Sequence, residues 1–130
     1  AEFKLSISQK YKRHRPRLLI LLGNPALLMR DEYRELWGDI PIVLCSEENY
    51  LGPQETYTKK QAIATADRTP LTQLADPYNM VLLYSNLYLD ENIQLICHIV
   101  PEIKKFIFIG DARQINQTNN LDIRNKLKKM

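Results

Sequence analysis

Two hydrophobic periods run along this chain, and the switches between them mark out its elements. Arg17–Leu22, Ile42–Cys45, Met80–Tyr84 and Phe106–Ile109 are short, nearly continuous apolar runs. Runs of this length, too short for helices, read as strands covered on both faces, the pattern of parallel sheets in α/β proteins. Each stops at a small residue followed by a polar one: Gly23-Asn24, Ser46-Glu47, Ser85-Asn86 and Gly110-Asp111. Between the first two runs, Ala26, Met29, Tyr33, Leu36 and Trp37 recur at helical spacing. Asn24 is placed to cap that helix, Pro25 suits its first position and Gly38 its end. A strand, a helix and a strand in so short a span predict parallel strands joined by a right-handed crossover.

The pattern weakens after Ser46. Glu47 to Pro53 is polar with a Gly-Pro turn, a short helix is expected around Lys60–Ala66, and another after Thr69-Pro70. So long a weakly patterned connection often carries binding loops. Beyond the third run, Leu89, Ile93, Ile96, Cys97 and Val100 predict a helix that Pro101 ends. Gln114–Asn120 reads as a polar loop and the chain from about Leu121 as a short basic helix. At the other end, Glu2–His14 fits a helix or a strand. The expected fold is α/β in three layers, with four mostly parallel strands between helices in a flavodoxin-like arrangement.

Composition adds limits. A chain of 130 residues suits one domain, or a fragment of a larger one. Its 45% hydrophobic and 25% charged content is that of an ordinary globular protein. The net charge of +3 gathers in Lys10, Lys12, Arg13, Arg15 and Arg17 and again in Arg124, Lys126, Lys128 and Lys129. These read as solvated helix faces, not as a nucleic-acid surface, because no aromatic or arginine-rich recognition motif accompanies them. Cys45 and Cys97 fall on apolar positions and read as small core residues. No apolar run reaches the roughly 18 residues that span a bilayer. The opening Ala1-Glu2-Phe3 suggests a piece of a longer polypeptide.

Ligands of open parallel sheets sit beyond the carboxyl ends of the strands. The candidate cleft residues are therefore Gly23, Asn24 and Pro25, then Ser46, Glu47, Glu48, Asn49 and Tyr50, then Ser85 and Asn86, and finally Gly110 and Asp111. Metal ligation is not expected, since His14 and His98 are far apart with no cysteine or carboxylate at ligand spacing. Four glycines form neither GxGxxG nor GxxxxGK[ST], which argues against a nucleotide cofactor. Ser46 and Ser85 lie outside any GxSxG and have no histidine placed as base. Asp111 with Glu47 and Glu48 could form an acidic centre of the receiver or hydrolase kind, but capping of the following turn explains Asp111 as well. Tyr50, Tyr57, Tyr78, Tyr84 and Tyr88 near loops and strand ends suit binding more than reaction.

The segments RLLILLGNPAL, DIPIVLCSEENY and YNMVLLYSNLYLDENIQLICHIVPEIKKFIFIGD, in this order, resemble the type 1 periplasmic-binding-protein fold. More narrowly, they are similar to the ABC-type substrate-binding domains that serve as extracytoplasmic sensors of bacterial two-component, often hybrid, histidine kinases. The resemblance rests on Arg17–Leu28, Pro41–Cys45, Glu91–Pro101 and Ile103–Asp111. It implies two hinged lobes closing on a small-molecule ligand, with residues 1–101 in the first lobe and 102–130 opening the second. It further implies a non-enzymatic segment of an inner-membrane protein, facing the periplasm, with a homodimer as one route for the signal. The solute-binding component of an uptake system is the alternative. Family ligands vary too widely for one to be named.

Overall fold

The computed structural model describes residues 2–85 and 87–129. In chain order the elements are α1 (Glu2–Tyr11), β1 (Leu19–Leu22), α2 (Asn24–Leu27), α3 (Arg30–Trp37), β2 (Ile42–Ser46), β3 (Tyr50–Leu51) and α4 (Gln54–Thr58). A 3-10 turn at Thr65–Asp67 precedes β4 (Thr69–Pro70), α5 (Thr72–Ala75), β5 (Met80–Tyr84), α6 (Leu89–Ile99) and α7 (Gln114–Leu127). Two compact units result. One takes in the chain up to Leu51 together with Thr69–Ser85, and the other Gly52–Arg68 and the chain after Ser85. The protein is mixed α/β.

The first unit is built on a parallel sheet in the order β1-β2-β5. Leu19, Ile42 and Met80 stand side by side, and so do Leu21, Leu44 and Leu82. Side chains alternate across a pleated strand, and these two rows point to the covered face, where Leu21, Ile42, Leu44 and Met80 are buried. Leu27 joins them in the core with no exposure at all. The rows between, Ile20-Val43-Val81 and Leu22-Cys45-Leu83, point the other way. On that face Ile20, Leu22, Val81 and Leu83 are exposed, Leu22 to 76%. Continuous apolar strands predicted cover on both faces; cover is present on one. Cys45, half-buried on the open face, and Cys97, also half-buried, are free thiols and not the small core residues expected.

The helix expected from Pro25 to Trp37 is two helices. At Met29 the backbone leaves the helical ladder (φ −94°, ψ 15°), and Arg30 Nη1 turns back to the Leu27 carbonyl at 3.4 Å. Beyond α3, Gly38 at φ 73° makes a reversal that an L side chain would strain. Tyr33 stacks on Trp37 with ring centroids 6.0 Å apart, and Tyr11 meets Trp37 edge-on at 6.1 Å. Burial is the main cause that pushes the Tyr33 phenol above its ordinary pKa, with Glu32 adding to it. Arg30 and Arg34 lie 5.2 and 4.5 Å from the Tyr78 ring centroid, and the Tyr78 hydroxyl donates to Asp31 Oδ1 at 2.6 Å. These contacts tie α3 to the turn before β5.

In the second unit the residues of the long connection meet α7. The Ile63 amide donates to Thr118 Oγ1 at 3.0 Å, and Gln114 Nε2 reaches the same oxygen at 2.8 Å. Arg68 donates to the Ile63 carbonyl and pairs with Asp122 at 2.6 Å. Ile63 and Thr118 are fully buried, and a side chain at Gly52 would run into Ile63. Lys126 of α7 pairs with Asp90 of α6.

Three expectations change in this unit. The helical turn lies at Gln54–Thr58, not at Lys60–Ala66, because Lys60 takes a left-handed conformation (φ 52°) that ends it. The polar stretch Gln114–Asn120 is the first half of α7 and not a loop, since its hydrogen-bonding side chains serve a buried partner in Thr118. Phe106–Ile109 belongs to neither sheet. A strand exists only where a neighbour accepts its ladder of hydrogen bonds, and here Ile107 and Ile109 stand exposed. Among the described residues no helix is long and apolar enough to cross a membrane.

Candidate functional site

Four of the residues named above meet at the carboxyl ends of β1 and β2. After Leu22 the chain turns at Gly23, whose φ of 81° favours glycine and whose amide continues the ladder to the Cys45 carbonyl at 2.8 Å. This turn sets Asn24, 3% exposed, as the first residue of α2. Asn24 does not cap the helix. Its Nδ2 donates to the Tyr50 carbonyl at 2.5 Å and to Glu48 Oε2 at 3.4 Å, while its Oδ1 faces the Ser46 hydroxyl. The longer-range partners win because a buried amide must satisfy both ends.

Ser46, the last residue of β2, holds the loop that follows. Its Oγ accepts from the Glu48 amide at 2.9 Å and lies 2.6 Å from the Glu48 carbonyl. A hydroxyl has one proton, so Ser46 donates either to that carbonyl or to Asn24. Glu48 is buried, and Tyr50 donates to its Oε1 at 2.8 Å. The Asn49 carbonyl accepts from the Leu71 amide at 2.9 Å, and β3 pairs antiparallel with β4, so both ends of the loop are held. A buried carboxylate without partners would be costly; here amide and phenol donors surround it.

The remaining residues fall elsewhere. Pro25, Glu47 and Asn49 are exposed around the cluster, and Ser85 is exposed just past the end of β5. Asn86 lies outside the described residues. Gly110 and Asp111 belong to the other unit. There Asp111 Oδ1 accepts from the Arg113 amide at 2.9 Å and from Asn116 Nδ2 at 2.6 Å, and Oδ2 meets Arg113 Nε at 2.8 Å. This is an aspartate turn just ahead of α7, joined to the helix through the Asn116 side chain; no side chain caps the helix itself.

Those bonds hold the Asp111 carboxyl below its ordinary pKa, the Arg113 amide being the main cause and Asn116 the next. A lowered folded-state pKa makes the stabilising effect complete above the unfolded value, near 3.9, and lost as pH falls through the folded one. Acidification below about pH 4 is therefore expected to loosen the start of α7 before its end. Carboxyl-detected NMR would follow it, and an Asp111 midpoint at or above that of an ordinary aspartate would refute the assignment.

The Ser46 hydroxyl is engaged by Asn24 and by the Glu48 backbone, and no imidazole is among its hydrogen-bond partners. Groups of three metal-ligating side chains are absent among the described residues. The four-residue α2 offers one turn of aligned peptide dipoles, little for an anion. Sequence reading located Asn24, Ser46, Glu48 and Tyr50 but assigned Asn24 to capping; separations of 22 to 26 residues hid the rest. No family model, curated protein or solved structure was found to match the chain.

Proposed function

We propose that this chain is a ligand-sensing segment of the extracytoplasmic, periplasmic-binding type, non-catalytic itself and attached to a membrane-bound two-component histidine kinase. The observation that carries the ligand-binding part is the Asn24–Ser46–Glu48–Tyr50 cluster, with Asn24 and Glu48 buried, at the carboxyl ends of adjacent parallel strands, where such sheets take their ligands. The order of segments supplies the sensor part. In this reading the cluster holds the 46–51 loop rigid, and the exposed Glu47 and Asn49 beside it meet a small polar solute. Rigid support of this kind lowers the ordering cost of binding. The reading carries with it the four-stranded, three-layer lobe of that fold.

The test is a thermal-shift screen of sugars, amino acids and sugar phosphates, followed by calorimetry of any hit. Saturation at about 100 times Kd should raise stability by about 2.7 kcal/mol. Glu47→Ala and Asn49→Ala should then weaken binding by about tenfold. In the full-length polypeptide the same solute should alter kinase autophosphorylation. A solute whose affinity ignores both substitutions, or a screen with no hit, would argue against the reading.

A further inference from the structure

A cleft lies on the first unit between α1 with the segment that follows it and the end of α3. It is an open groove of about 390 Å³ lined by Ser8, Tyr11, Lys12, Arg15, Leu36, Trp37 and Gly38. That volume falls within the range of small-ligand sites. Its floor is aromatic and aliphatic, and Trp37 is held there by Tyr33 stacked on it and by Tyr11 perpendicular to it. Its rim is cationic. Gly38, bare and at positive φ, leaves room for the Arg15 guanidinium, whose Nη2 lies 3.4 Å from where a Cβ would stand. Among the described residues neither Lys12 nor Arg15 has a carboxylate within ion-pair distance.

We propose that this cleft binds a small aromatic anion, its ring against the Tyr11–Trp37 edge and its carboxylate or phosphate between Lys12 and Arg15. Two cations lining one cleft, with no acidic partner among the described residues, repel each other, and an anion between them relieves this. A guanidinium in addition offers paired donors to a carboxylate or phosphate. A bare inorganic ion would satisfy the rim and leave the apolar floor wet; a neutral ring would do the reverse. The occupant that meets both is a flat ring with an attached anion. This site is independent of the one at the carboxyl ends of β1 and β2.

Trp37 is the sole tryptophan of the chain, so its fluorescence reports on this cleft directly. Titration with AMP and with 4-hydroxybenzoate separates a nucleotide from an aryl carboxylate as the source of the anion; adenosine and inorganic phosphate are the half-ligand controls. At least one aromatic anion should change Trp37 emission saturably, about tenfold more tightly than either control. Lys12→Gln and Arg15→Gln, both at exposed positions, should each weaken it by about tenfold while leaving the unliganded emission spectrum unchanged. Raising the salt to 1 M should weaken binding as well. The proposal is overturned if neither anion alters the emission, if phosphate alone binds equally well, or if both variants bind as the parent does.

Discussion

Asn24→Ala is expected to cost the first unit about 3 kcal/mol of stability. The side chain it removes is 3% exposed and serves three groups: the Tyr50 carbonyl, the Glu48 carboxylate and the Ser46 hydroxyl. Alanine satisfies none of them. A buried acceptor left without its donor loses about 1–3 kcal/mol, and more when it is charged. Urea unfolding with an unchanged m-value would measure the loss as a fall in midpoint. Asn24→Asp should be at least as harmful at neutral pH, because it sets a second carboxylate against Glu48, and milder on acidification. Ser46→Ala should cost about 1 kcal/mol, the ordinary net value of a hydrogen bond. If Asn24→Ala fell within about 0.5 kcal/mol of the parent, the range of an ordinary surface substitution, the cluster would not be the support described here.

The two faces of the parallel sheet should differ as sharply. Leu44→Ala removes a fully buried side chain at the centre of β2 and is expected to cost 2–5 kcal/mol, transfer and cavity together, by general experience with about this size of deletion. Leu22→Ala, one strand away on the open face at 76% exposure, should cost about 0.5 kcal/mol or less. The same denaturation experiment applied to both distinguishes them. Equal losses would mean that the open face is covered in solution. Contiguous apolar surface of this kind on a parallel sheet is unusual, which makes Leu22 the more informative of the two residues.

How much of this was legible beforehand follows from what each signal encodes. β1, β2 and β5 were read correctly because four or five successive apolar residues between turn formers have few other uses. The parallel pairing of β1 with β2 follows from the intervening helical stretch. α6 ends where Pro101 required. Gln114–Asn120 was misread because a helix start made of amides and a threonine carries no apolar stripe; its burial depends on Ile63, 55 residues earlier. Phe106–Ile109 has as good a strand pattern as Leu19–Leu22 and stands outside both sheets. Of the candidate site, the residue types at the strand ends were visible, whereas Asn24 was given the wrong partner.

By itself, then, the sequence determined the period of each segment, the turns at Gly23 and Gly38 and the places where polar residues follow apolar strands. Those properties depend on φ preferences and on side chains within a few positions of each other. Tertiary structure alone decided which face of the sheet is covered and which acceptors the Asn24 amide serves. It also decided whether Phe106–Ile109 finds an edge to pair with and whether Trp37, Lys12 and Arg15 share a cleft. The physical reason is common to all four. A ladder, a buried polar group or a pair of cations is satisfied or not by atoms brought near in space, and the local pattern carries no record of which those will be.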